Sequence, residues 1–138
     1  MDETIRAVGH ENVTAAHEST FELTSDDYLT PAGDCILGIE ADRVPAEFDD
    51  AFVAACQSED ATITATLEAD GHAVTVAGRG HRDLSFENER SMVARTSEYV
   101  DDRTIMVDAE AAAADLDRDL IEALADGVEL TLTLSVDA

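Results

Sequence analysis

D34-C-I-L-G-I-E-A-D42 and D102-R-T-I-M-V-D-A-E110 carry one pattern at two places in a chain of 138 residues, 68 positions apart. In each, a polar start leads into a short apolar run, then into an acidic residue, an alanine and a second acidic residue. The likeness extends both ways. Upstream, G9-H10-E11-N12 falls on G80-H81-R82-D83 and T20-F-E-L-T24 on S91-M-V-A-R95, both at a shift of 71. The first copy therefore holds three more residues in its turn L29-T-P-A-G33 than the second does around E98-Y-V100. Downstream, Pro45 suits the first turn of a helix, after which Phe48, Phe52, Val53 and Cys56 recur on one helical face. Leu116, Leu120, Ile121 and Leu124 repeat that stripe at the shift of 68. Each predicted helix leads into a run of period two, A61-T-I-T-A-T-L67 and V128-E-L-T-L-T-L-S-V136, and short runs near Ile5 to Val8 and Ala73 to Ala77 open the halves.

Each half is thus expected to read β-β-β-α-β, with pseudo-repeats at about 1–69 and 70–138 related by a pseudo-twofold axis inside a single domain spanning 1–138. The competing explanation is coincidence between amphipathic elements of similar length. The expected fold class is α+β: an internally duplicated, mostly antiparallel, barrel-like sheet core with two covering helices.

A chain of this length buries roughly two thirds of its unfolded surface, so it needs no staples. Cys35 and Cys56 are the only cysteines, which excludes a disulfide framework. No signal-like amino terminus and no apolar run approaching the roughly 18 residues of a membrane span are present, so a cytoplasmic protein without a membrane partner is expected. Acidic residues number 32 against 8 basic ones, for a formal net charge of −24, and all eight bases are arginine. Such self-repulsion penalises compactness in ordinary buffer, but at molar salt the screening length falls to about 3 Å. The composition reads as adaptation to a salt-rich, halophilic cytoplasm. It argues against nucleic acid as a partner, since counterion release drives little association in concentrated salt.

The polar interruptions locate a candidate site. Along V13-T-A-A-H17-E-S-T-F-E-L23 the odd positions form an apolar row broken at His17 and Ser19, and the second half breaks the matching row at Asn88 and Arg90. A buried polar group without a hydrogen bond costs about 1–3 kcal/mol, so matched interruptions suggest a polar pocket near the pseudo-axis. The alternative for His17 is a core histidine bonded to backbone. His10 and His81 each follow a glycine in a tight connection, and Asp34 and Asp102 stand at matched strand starts. Turn chemistry alone accounts equally for the glycine-histidine pairs and for P31-A-G33-D34.

Five of the eight arginines, Arg79, Arg82, Arg90, Arg95 and Arg103, lie between positions 79 and 103. An anionic ligand would explain the clustering, because guanidinium groups clamp phosphate or carboxylate; ion pairs with neighbouring acids would explain it too. Three histidines and an aspartate can hold a divalent metal, which makes His10, His17 and His81 the metal candidates, although their spacing matches no ligand motif. Cys35 beside Asp34 permits a thiol nucleophile, but it opens the apolar run C35-I-L-G-I39, which favours a buried, inert thiol over a nucleophile. No P-loop, dinucleotide fingerprint or nucleophile elbow occurs.

At G9-H-E-N-V13, H17, L29-T-P-A-G-D-C35, G78-R-G-H81 and D102-R-T104, over essentially the whole chain, the sequence resembles an archaeal family known as domain of unknown function 371. The resemblance implies an archaeal, here haloarchaeal, single-domain protein with no assigned activity. In the family pattern, basic residues stand where this chain has Glu18 and Ala32, so no cation is carried over to the first half. The expected function is binding of a small anionic ligand or a metal between the halves. His10, His17 and His81 would donate or ligate, Asp34 and Asp102 would orient them, and Arg95 or Arg103 would meet negative charge. An alternative is a metal-assisted or acid-base hydrolase using the same residues. A structural or interaction module without a pocket is a third.

Overall fold

The computed structural model describes residues 1–137. Its elements follow in the order β1 (Asp2–Val8), β2 (Thr20–Thr24), β3 (Ile36–Gly38), α1 (Asp50–Cys56), β4 (Thr62–Ala69), β5 (His72–Arg79), β6 (Ser91–Arg95), β7 (Thr104–Met106), α2 (Arg118–Ala125) and β8 (Glu129–Asp137). The architecture is α+β, with two sheets of four strands ordered β1-β8-β4-β5 and β3-β2-β6-β7. Antiparallel pairing joins β1 to β8, β8 to β4, β4 to β5 and β2 to β6. The short β3 and β7 instead run parallel to β2 and β6.

Local chemistry sets the connections. Asp70 and Gly71, both at positive φ (49° and 80°), form the two-residue turn between β4 and β5, the geometry an Asp-Gly pair favours in hairpins. The helices are shorter than the apolar stripe predicts. Pro45–Glu47 and Ala113–Asp115 are 3-10 turns, and Phe48 and Leu116 lie in extended backbone between turn and helix. The helices begin only where Asp49 and Asp117 accept the amide hydrogens of Ala51 and Asp119, because an aspartate cap satisfies donors that the first helical turn leaves free.

Period-two alternation puts Ile5 and Ala7 of β1, Ile63, Ala65 and Leu67 of β4, and Leu130, Leu132 and Leu134 of β8 on one buried face. Phe21 and Leu23 of β2 and Met92 and Ala94 of β6 join them in one core, together with Phe52 and Cys56 of α1 and Leu120 and Leu124 of α2.

The expected barrel does not close. The sheets meet at their edges through single bridges, Val8 to Ile39 and Arg79 to Val107, and through one further backbone bond at each edge, from the Asp42 amide to the Arg6 carbonyl and from the Glu110 amide to the Ala77 carbonyl, both at 2.9 Å. At those further bonds a carboxylate takes the reciprocal amide: Asp42 Oδ1 accepts from the Arg6 amide at 2.9 Å and Glu110 Oε1 from the Ala77 amide at 3.0 Å. A side-chain acceptor on an edge amide ends a ladder and blunts the edge against further pairing. The alternation expected from Val13 to Leu23 also stops short. The stretch from 9 to 19 is irregular, with Ala15 at φ 48°, a left-handed conformation that breaks an extended chain.

The second sheet is unusual in being covered on both faces. Opposite the core, Thr24, Ser91, Val93 and Thr104 are buried beneath the connections spanning 25–35 and 96–103. That covered face carries the candidate site.

Candidate functional site

On the outer face of the second sheet, β2 projects Thr20, Glu22 and Thr24 while β6 projects Ser91, Val93 and Arg95, in the register Thr24 to Ser91, Glu22 to Val93 and Thr20 to Arg95. A cavity of about 360 Å³ opens on this face, lined among others by Glu22, Thr24 and Tyr28 from before position 70 and by Asn88, Arg90 and Arg103 from after it. Arg90 clamps Asp26 in a two-pronged pair, Nε to Oδ1 at 2.9 Å and Nη2 to Oδ2 at 2.7 Å, and donates to the Tyr28 hydroxyl at 3.3 Å. Hydrogen bonding from Arg90 holds the Asp26 carboxyl below the usual carboxylate range against the opposing push of burial.

A second cluster stands beside the cavity. Arg95 donates to Thr104 Oγ1 and to Asp101 Oδ2, each at 2.9 Å, and its guanidinium lies 4.8 Å from the centre of the Tyr99 ring. Arg103 meets the same Asp101 oxygen at 3.3 Å, and 41% of its side chain is exposed. Burial pushes the Asp101 carboxyl up, but the Arg103 backbone amide and the charges of Arg95 and Arg103 outweigh it and hold the group low. Arg95 therefore has two side-chain acceptors and Arg103 has one, the longer contact of the two to Asp101.

Glu22 has a thiol for a neighbour: Cys35 Sγ donates to its Oε1 at 3.2 Å. Burial, then the charge of Glu22, pushes the Cys35 thiol up to about 12. It stays protonated at neutral pH, and the nucleophile is the thiolate. Cys56 is likewise pushed up to about 12 by burial inside the core.

The histidines turn inward on the backbone. Nδ1 of His10 accepts the amide hydrogen of Asn12 at 3.0 Å, and Nδ1 of His81 that of Asp83 at 3.0 Å. Nδ1 of His17 accepts from the amides of Ser19 and Thr20, both at 3.2 Å. An Nδ1 that accepts N–H carries no proton, so each neutral ring keeps its hydrogen on Nε2. Asn88 Oδ1 does in the second half what His17 does in the first, accepting from the amides of Arg90 and Ser91 at 2.8 Å. That answers why an imidazole interrupts the row: it caps the start of β2, as an asparagine caps the start of β6.

A family model described as "Domain of unknown function (DUF371)" matches residues 5–137. The chain belongs to this family. It is 38% identical over 136 residues to an uncharacterized protein of Methanocaldococcus jannaschii, an alignment covering 99% of this chain and the whole of that relative.

In this DUF371 chain the two fairly specific motifs have different surroundings. L29-T-P-A-G-D-C35 forms one wall of the cavity through Leu29, Thr30 and Gly33. G78-R-G-H81 is a packing device. A Cβ on Gly80 would stand 2.2 Å from the Cys56 carbonyl oxygen, and one on Gly9 1.9 Å from that of Leu124, so both glycines let a strand end pass close under a helix end.

Of the residues predicted for a shared site, Arg103 lines the cavity. Arg95 joins it through Asp101. Asp34 meets His17 by backbone alone, its carbonyl accepting the His17 amide hydrogen at 3.2 Å. Asp102 receives the Asn88 amide hydrogen on its carbonyl at 3.1 Å and the Asn88 side-chain NH2 on Oδ1 at 3.3 Å. His10 and His81 go elsewhere, to the ends of β1 and β5 beside the carboxyl ends of α2 and α1. Among the described residues no group of three or more His, Cys, Asp or Glu side chains is placed to hold a metal ion.

Glu22, Asp26, Tyr28 and Asp101 were not foreseen. A signal for Tyr28 existed, since it falls on Tyr99 at the shift of 71 and these are the two tyrosines of the chain. Glu22 had none, because its counterpart is Val93.

Proposed function

We propose that this DUF371 domain binds a small anionic ligand in the cavity on the outer face of the second sheet, with Arg103 as the receiving group. The carrying observation is a contrast in pairing: Arg90 makes a two-pronged pair with Asp26 and Arg95 meets Thr104 and Asp101 at 2.9 Å, while Arg103 on the cavity wall has one side-chain acceptor, at 3.3 Å. Thr24, Thr30, Ser91 and the Tyr28 hydroxyl line the same space and supply neutral donors. The cavity is drawn from both segments of the chain. We read those segments as a duplication about a pseudo-twofold axis, supported by left-handed backbone at Ala15 and Phe86 and at Glu40 and Asp108, pairs that stand at the two sequence shifts. The acidic surface fits a salt-rich cytoplasm, and residues 1–138 act as one domain.

Melting-temperature shifts with inorganic phosphate and with succinate, at constant ionic strength in potassium chloride, test the proposal. Stabilisation by either, lost in Arg103→Gln, is the expected result. No stabilisation by either, or the same stabilisation in the variant, overturns it. One observation favours a purely structural role for part of the pattern: every Nδ1 of His10, His17 and His81 is spent on backbone amides. We accordingly assign these histidines to the scaffold rather than to the ligand. No observation favours a hydrolase.

A further inference from the structure

We infer that the ligand is an ampholyte of amino-acid size, carrying one cationic or strongly donating head for Glu22 and one anionic end for Arg103. The inference rests on the anion-binding reading above and narrows it.

The cavity lining holds two guanidiniums and two carboxylates, Arg90, Arg103, Glu22 and Asp26. Arg90 and Asp26 cancel each other in their two-pronged pair. Glu22 and Arg103 are left, one of each sign, and neither is matched to the other. Glu22 is partly buried, yet its single protein donor is the thiol of Cys35 on Oε1; among the described residues Oε2 receives no hydrogen bond. A thiol is a weak donor, and a carboxylate gains more from charged or multiple donors. Asp26 and Asp101 each have a guanidinium, so Glu22 is the carboxylate of this face with unspent acceptor capacity.

A plain anion on Arg103 shares the cavity with the Glu22 charge and so binds more weakly there than a molecule that also answers Glu22. A plain cation on Glu22 would meet Arg103. A molecule bearing both signs satisfies both at once, and the hydroxyls of Thr24, Thr30 and Ser91 can donate to or accept from either end. The volume of about 360 Å³ lies near the lower bound of ligand pockets, roughly 300–1,000 Å³, and accommodates a molecule of amino-acid size. Charges paired inside a cavity are screened by salt far less than those on the surface, so such recognition survives the concentrated salt that the composition implies.

Calorimetric titration with the ω-amino acids from glycine to 6-aminohexanoate, beside propionate, propylammonium and inorganic phosphate, decides it at fixed potassium chloride. At least one ω-amino acid is expected to bind roughly tenfold tighter than propionate or propylammonium, about 1.4 kcal/mol, and the best chain length reads the span between the two charged groups. Glu22→Gln should weaken that amino acid while leaving propionate unchanged or tighter, and Arg103→Gln should weaken both. If propionate or phosphate binds as tightly as every amino acid and Glu22→Gln tightens it, the anion site stands and the ampholyte is wrong. If no probe binds the folded wild type, both fall. The wild-type comparison is decisive even if a variant does not fold.

Discussion

Replacing His17 with asparagine should leave the stability of the domain within about 0.5 kcal/mol of wild type, whereas alanine should lower it clearly. The reason is atomic. Nδ1 of histidine and Oδ1 of asparagine hang from the same Cγ position, so they reach the same place from the backbone. At His17 that acceptor serves the amides of Ser19 and Thr20 at 3.2 Å and the Thr20 hydroxyl at 3.0 Å; at Asn88 it serves the corresponding amides of Arg90 and Ser91 at 2.8 Å. Alanine removes it. The Ser19 amide is exposed, and water replaces the lost bond there. The Thr20 amide is partly buried at the first residue of β2, and its loss resembles that of a helix cap, about 1–2 kcal/mol. For a chain of this size, that is a fall in melting temperature of roughly 3–8 °C. Thermal and urea melts of wild type, His17→Asn and His17→Ala at molar potassium chloride measure it. Asparagine melting as low as alanine, or alanine melting with wild type, would refute the capping role.

Other expectations follow from the same geometry. Gly80→Ala should destabilise by about 1–3 kcal/mol or more, because its Cβ would lie 2.2 Å from the Cys56 carbonyl oxygen; a guanidinium chloride midpoint equal to wild type would contradict it. The Asp101 carboxyl is held below its ordinary value of 3.8. Its contribution to stability is therefore present above that pH and lost as the pH falls through the lower folded value. The stability gap between wild type and Asp101→Asn should accordingly narrow below pH 3.8 in denaturant titrations, and a gap that widens there would reverse the assignment. Cys35, with its thiol pushed up to about 12, should react with a disulfide reagent at pH 8 far more slowly than a free thiol, and faster in Glu22→Gln. Reaction of wild type at the rate of an unperturbed cysteine would be incompatible with the buried pairing.

Much of the site was hidden in the sequence because its signals belong to pairs. His17 and Asn88 announced themselves by interrupting a buried row, yet the row says only that a polar atom needs a partner. The partners proved to be amides two and three residues onward, so local capping, not convergence, explains them. The arginine cluster had two explanations in the sequence, an anionic ligand and ion pairs with neighbouring acids. Arg79, Arg90 and Arg95 went to carboxylates, and only distances separate them from Arg103. Glu22 looked like an ordinary solvated strand residue, because nothing in T20-F-E-L-T24 reveals that later loops cover the outer face.

The sequence by itself determined the order of eight strands and two helices, the buried face of each long strand, and the sites of the turns. These follow from periodicity and from proline and glycine at the connections, which act over a few neighbouring positions. Only the tertiary structure decided that β1 pairs with β8, that β2 and β6 join the halves of a second sheet, that the barrel stays open, and that one glutamate and one arginine share a cavity. Backbone hydrogen bonds between strands are chemically alike whichever strands form them. The choice of partner is settled by how side chains remote in sequence pack together.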